Sequence, residues 1–241
     1  MKNNGGEDRD GGIVEGLLEL VYPTRCVGCE RQGMLLCRAC DEGLPRIAQE
    51  HACHRCGAPF GGLVCTECFD SHGLVEFGFS QAVCALEFLD TAARLVVGYK
   101  DQHERRLAQT LALLIAEALP DEWVGWADAL SWIPCDRRAL RRRGFDHMRH
   151  IALELARITG LEARGLLRKS AVADQRDLGR AGRQENAGSL FSVNGTLGLL
   201  PTNLLLIDDV LTTGATLDAA ACVLLGAGIG EIRVATVARV W

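Results

Sequence analysis

Residues 204–216 read LLLIDDVLTTGAT. The apolar run 204–207 follows Pro201 and Asn203 and is rich enough in branched side chains for a fully buried strand. Two carboxylates, Asp208 and Asp209, stand at its end. The small and hydroxylated residues Thr212, Thr213, Gly214, Ala215 and Thr216 then lead into a helix-like stretch, 217–225. Strand, tight loop and helix start follow one another, which is the unit from which α/β sheets are built.

The physics of that junction favours a phosphate. The first amides of a helix lack partners inside it, and the helix dipole is positive there. Gly214 lets a ligand approach the backbone closely, and the hydroxyls of Thr212, Thr213 and Thr216 add donors. Asp208 and Asp209 cannot bind phosphate. They suit sugar hydroxyls, or a divalent cation reached directly or through its waters. Acids for a sugar beside amides for its phosphate describe a site for a ribose 5-phosphate. The plainer alternative is a strand that ends in two acids and a helix with a threonine cap.

The 241 residues allow one or two domains with a sizeable core, and 48% hydrophobic with 24% charged residues is ordinary for a globular chain. No apolar run reaches the eighteen or more residues of a membrane span, and the acidic, glycine-rich residues 1–12 do not read as a signal peptide. The expected location is the cytoplasm. A net charge of −5 argues against coating nucleic acid over the whole surface, while leaving room for a local basic patch.

Eight of the eleven cysteines form four C-x-x-C pairs, Cys26/Cys29, Cys37/Cys40, Cys53/Cys56 and Cys65/Cys68. They fall into two similar halves, each with enough thiolates for one tetrahedral site. Two structural zinc ions are the natural count, and sequential and interleaved pairing both remain open. The segment holds few large apolar residues, so the metal would supply its stability. A redox dithiol would need a βαβ context that is missing around these pairs. His51, His54 and His72 flank the cysteines and read as spectators. Cys84, Cys135 and Cys222 lie among apolar neighbours and read as small core residues.

The remaining chain alternates helices and strands. Residues 1–20 read as a disordered start and a short helix before Pro23, 21–73 as the cysteine module, and 74–241 as the α/β domain. Helical periodicity covers 91–99, 107–119 and 145–158, and strands are expected at 130–134, 161–167 and 232–237. Lys100 stands in a charged corner between the first two helices. A loop beyond 134 carries Arg137, Arg138, Arg141, Arg142, Arg143 and Arg149 against Asp136 and Asp146, a composition suited to pyrophosphate or a nucleic-acid backbone. The polar connection 168–189 has the length of a functional lid, with Gln175, Arg183 and Asn186 as donors.

The stretch 204–216 resembles the phosphoribosyl-pyrophosphate (PRPP) signature of type I phosphoribosyltransferases. Together with the four cysteine pairs, the RRRGFDH run at 141–147, and Gln175, Arg183 and Asn186, it makes the chain look like the competence protein F (ComF) family from about residue 22 onward. That resemblance implies an α/β fold with a largely parallel sheet of the type I phosphoribosyltransferase kind, preceded by a small double zinc ribbon. It implies PRPP or nucleotide binding with Mg²⁺, at Asp208 and Asp209 for the ribose, at Thr212, Thr213, Gly214, Ala215 and Thr216 for the 5-phosphate, and at Lys100. Arg137 and Arg138 would act with Asp208 and Asp209 in transfer to an unidentified acceptor. The family's association with DNA uptake and natural transformation implies, as the other possibility, a non-catalytic factor that binds single-stranded DNA or a helicase partner. Two departures are visible: Trp132-Ile133-Pro134-Cys135 stands where family members often have Val-Pro-Val-Pro, and Asp146-His147 where many have Asn-Gln.

Overall fold

The computed structural model describes residues 23–70, 73–102, 104–169, 190–194 and 199–241. The expected N-terminal helix, His72, Gln175, Arg183 and Asn186 lie outside them. The chain divides into two units, Met1–Leu44 and Pro45–Trp241, and one cysteine quartet falls in each.

In the first unit a turn brings Cys26 and Cys29 together, closed by Glu30 N–H donating to the Cys26 carbonyl at 2.7 Å. The short helix α1 (Arg38–Glu42) follows Cys37 and positions Cys40. In the second unit the corresponding turn is closed by Gly57 N–H on the Cys53 carbonyl at 2.8 Å. A small hairpin, β1 (Phe69–Asp70) and β2 (Gly73–Leu74), then leads into the sheet.

The main sheet contains β3 (Gln81–Glu87), β4 (Ala129–Trp132), β7 (Asn203–Leu211) and β8 (Glu231–Arg239), all parallel, in the order β3-β8-β7-β4. Between β3 and β4 run α2 (Asp90–Asp101), α3 (Leu107–Ala118) and α4 (Asp121–Trp126). Beyond β4 come α5 (Arg137–Arg143) and α6 (His147–Thr159), then an antiparallel pair, β5 (Leu167–Lys169) and β6 (Phe191–Val193). Helix α7 (Ala215–Gly226) connects β7 to β8.

The buried strand at 204–207 forms as its composition requires. Leu204 and Leu206 pack with Leu217, Ala220 and Leu224 of α7, and with Ile232 and Val234 of β8. Leu205 and Ile207 alternate to the other face, where α3 and α6 pack on the sheet. The strand does not stop before the acids. Pairing with β8 continues through Asp208↔Thr236 and Leu211↔Arg239, so both aspartates lie inside β7 and point to opposite faces.

Two further expectations are corrected. The arginine-rich stretch after β4 is not a loop: Asp136 Oδ1 accepts the Ala139 N–H at 2.7 Å as an N-cap, and Gly144 ends α5 at φ 73°. The strand expected at 161–167 is reduced to one parallel bridge, Ala163 with Leu130. Leu166 N–H donates to the Arg164 carbonyl two residues back, which turns the chain away before β5.

Candidate functional site

Each cysteine quartet is assembled by its turn and by a backbone donor. Cys37 N–H points at Cys26 Sγ and Cys65 N–H at Cys53 Sγ, each at 3.3 Å. The sulfurs of Cys26, Cys29, Cys37 and Cys40 lie within 4.8 Å of one another, as do those of Cys53, Cys56, Cys65 and Cys68. Cys29–Cys37 and Cys56–Cys65 are both 3.6 Å apart, close to the roughly 3.8 Å edge of a tetrahedron with Zn–S near 2.3 Å. The donor set and spacing therefore fit zinc, with sequential rather than interleaved pairing. Cys53 is held down at about 4, by its contact with Cys56 and, against the cost of burial, by backbone N–H donors.

The second site lies at the carboxyl end of the parallel sheet, where β4 ends at Trp132 opposite Ile207 and β7 runs on beyond it. Asp209, 5% exposed, faces α2 and α6. Lys100 Nζ at the end of α2 lies 2.6 Å from its Oδ2, and His147 Nε2 at the start of α6 lies 2.8 Å from the same oxygen. Burial alone would raise the Asp209 carboxyl; His147 and Lys100 more than offset that, and it is held below the usual carboxylate range. Asp208 has the opposite bias. Burial, followed by the neighbouring Asp209 charge, pushes it well above that range, although Asp209 N–H donates to its Oδ1 at 2.9 Å. The two carboxyls are thus biased in opposite directions, because strand alternation turns Asp209 alone onto Lys100 and His147.

A glycine turn follows. Gly214 is the N-cap of α7 at φ 80°, a left-handed conformation that a side chain resists, and an added Cβ would sit 3.2 Å from the Phe77 ring. Thr212, Thr213, Ala215 and Thr216 are exposed around it. Thr213 Oγ1 accepts the Ala215 N–H at 3.4 Å. Asp218 Oδ1 in the first turn of α7 accepts the Gly78 N–H at 2.7 Å, so that acid is occupied in fixing the helix.

The arginines separate into two groups. Arg137, Arg138, Arg141 and Arg142 are exposed, and neither Arg137 nor Arg138 is hydrogen-bonded or ion-paired to Asp208 or Asp209 among the described residues. Arg143, 10% exposed at its side chain, turns inward: its guanidinium meets His147 Nδ1 at 3.2 Å and Asp101 at 3.3 Å. Its buried Nε has no hydrogen-bond partner among the described residues. Because arginine only donates, His147 Nδ1 must accept, and the ring presents its N–H to Asp209. Tyr99 completes the support, donating its hydroxyl to the His147 carbonyl at 2.6 Å.

The role of His147 was not legible, since its partner Asp209 is a strand residue 62 positions away, and Arg143 reaches that acid only through the histidine. Two cysteines also depart from expectation. Cys222 is exposed on α7, and Cys135 is half-buried beside polar groups rather than in the core. Cys135, Asp146 and His147 bring ligand-type atoms within 4.8 Å of one another. The Arg143 guanidinium on the same histidine opposes a cation there.

Comparison with known proteins agrees with the N-terminal reading. Residues 17–71 match the double zinc ribbon domain family. The chain is 24% identical over 231 residues to competence protein F of Haemophilus influenzae, covering 90% of this chain and 98% of that protein. Among solved structures it is similar to glutamine phosphoribosylpyrophosphate (PRPP) amidotransferase from B. subtilis complexed with ADP and GMP, at TM-score 0.41 and 15% identity over 70% of this chain. It is also similar to the allosteric regulatory enzyme of purine biosynthesis, at TM-score 0.38 and 18% identity over 54%. It spans only 34% and 25% of those two chains. The resemblance read from the residues is met: the chain is similar to competence protein F along most of its length, and its residues 17–71 match a double zinc ribbon. No helix among the described residues is long and apolar enough to cross a membrane.

Proposed function

We propose that this relative of competence protein F binds PRPP with Mg²⁺ at the carboxyl end of β7 and transfers its phosphoribosyl group to a nitrogen nucleophile. The observation that carries the reading is the split aspartate pair, one clamped by Lys100 and His147, placed directly before the Gly214 turn at a helix N-terminus. The chain would act as a double zinc ribbon at about 21–73 followed by a transferase domain at 74–241.

The residues divide the work as follows. Asp209 Oδ2 is taken by Lys100 and His147, so Oδ1 is left to accept a ribose hydroxyl. Asp208 would face the second hydroxyl or a metal water. Amides and hydroxyls of Thr212, Thr213, Gly214, Ala215 and Thr216 would hold the 5-phosphate. Mg²⁺ supplies charge neutralisation at the pyrophosphate when bound. As the C1–O bond breaks, its electron pair leaves with pyrophosphate, the nitrogen lone pair forms the bond to C1, and the N–H proton passes to the departing pyrophosphate or to water. The unpartnered Nε of Arg143 suits an oxygen of that departing group, with Arg137 and Arg138 approaching from α5.

Calorimetric titration with PRPP, with and without Mg²⁺, tests the site. Metal-dependent binding lost in Asp208→Asn/Asp209→Asn protein is the expected result. Equal binding by both proteins would place the ligand elsewhere.

One observation favours a second reading. Four exposed arginines on the seven-residue α5 make a positive face suited to a phosphate backbone, single-stranded DNA being the ligand that matches DNA uptake. On that reading the protein serves competence as a binding factor, with a helicase as partner. Replacing Arg141 and Arg142 would weaken oligonucleotide binding and flatten its salt dependence; unchanged affinity would remove the reading.

A further inference from the structure

Arg239 closes β8 with only 3% of its surface exposed, and its guanidinium joins two regions. Nη1 donates to the Thr212 carbonyl at 2.7 Å and approaches that of Leu211 at 3.5 Å. Nε donates to the Cys56 carbonyl at 3.1 Å, while Nη2 meets Glu67 Oε2 at 2.8 Å and lies 3.7 Å from Cys56 Sγ. The Val240 carbonyl is a further partner. Phe77 makes a parallel link. It packs against both the cysteine cluster 53–68 and the sheet core, stacks on Phe79 at 4.7 Å, and lies against Gly214.

A buried guanidinium is costly unless acceptors and negative charge surround it. The Glu67 side chain is 53% exposed, so water screens its contribution. Four thiolates around a divalent ion leave net negative charge, and Cys56 presents one of those sulfurs to Arg239. The same metal holds the turn that supplies the Cys56 carbonyl. At the other end, a trans peptide points its carbonyl and following N–H in opposite directions. Drawing the Thr212 carbonyl onto Arg239 therefore aims the Thr213 N–H away from it, out of the protein.

We propose that Arg239 is a positioning residue through which metal in the second quartet, Cys53, Cys56, Cys65 and Cys68, sets the turn Thr212, Thr213, Gly214. Affinity for a phosphate-bearing ligand then depends on that metal and not on the metal of the first quartet. The inference rests on reading the turn as the phosphate site.

The test compares Cys68→Ser, which removes a ligand of the second metal but no Arg239 partner, with Cys40→Ser in the first quartet and with Arg239→Met. Hydrogen exchange of the amides at 213–216 is read without ligand, and PRPP·Mg²⁺ affinity by calorimetry. Cys68→Ser and Arg239→Met should each speed exchange and weaken binding by about tenfold, the loss typical of a residue supporting a metal ligand. Amides at 204–207 should stay protected, and Cys40→Ser should change neither readout. Should either variant lose that core protection, Arg239→Lys and Glu67→Gln decide: faster exchange at 213–216 over a protected core supports the coupling, and unchanged exchange overturns it. Unaltered exchange in Cys68→Ser, or an equal effect of Cys40→Ser, also overturns it. If wild-type protein binds no PRPP while the exchange pattern is as expected, the ligand reading fails and the coupling stands.

Discussion

His147 Nε2 and Asp209 Oδ2 are 2.8 Å apart in a buried contact that joins α6 to β7. Removing either partner leaves the other in low dielectric. Asp209→Asn should cost about 1–3 kcal/mol at neutral pH, because Lys100 and His147 lose their acceptor charge. Asp209 is held below its ordinary 3.8, so its stabilisation is present above that value and fades as pH falls through the lower, folded one. Urea unfolding at pH 7 and at about pH 3 should show the gap between wild type and Asp209→Asn narrowing in acid. A gap that is constant or grows would contradict the clamp.

Asp208 gives the opposite sign. Its folded carboxyl titrates above 3.8, so it costs stability increasingly as pH rises from 3.8 through the folded value. Asp208→Asn should therefore stabilise the ligand-free protein at pH 7, with the gain shrinking as pH falls toward 3.8. If Mg²⁺ with its phosphosugar needs the ionised form, binding will expel a proton. Calorimetry in buffers of differing ionisation enthalpy should then give a buffer-dependent heat in wild type and none in Asp208→Asn.

Metal content has a stepwise expectation. Two quartets predict two zinc ions per chain by elemental analysis, and one after Cys40→Ser. Chelation should lower the thermal midpoint, since a zinc ribbon draws its folding energy from the ion. A folded preparation free of metal with an unaltered midpoint would contradict this.

Gly214→Ala tests the turn alone. A left-handed residue with its new Cβ 3.2 Å from the Phe77 ring should lose about 1–3 kcal/mol of stability and weaken PRPP binding more than it changes the exposed α5. Thermal melts alongside titrations separate the two effects.

What could be read in advance follows from the range of the interactions involved. The strand 204–207, the helix ended by Gly160, and the two quartets are local patterns of apolar spacing, left-handed caps and ligand spacing. The extension of β7 through Asp208 to Leu211 depends on pairing with β8, which a one-strand reading lacks. Five arginines in RRALRRR made α5 read as a basic loop, although Asp136 and Gly144 marked its ends. Arg239 offered no signal at all, because its contact with Cys56 spans 183 positions.

The sheet order also dictates an assembly sequence. Among the described residues β3 meets no strand of the main sheet except β8, and Thr236 touches Cys84 across 152 positions. During synthesis the edges of β3 and β7 that face β8 must therefore wait until 231–239 have emerged, although the other side of β3 already bonds to residues 45–47. Closure of so non-local a pairing is slow, and it leaves apolar strand edges open to neighbouring nascent chains for that interval.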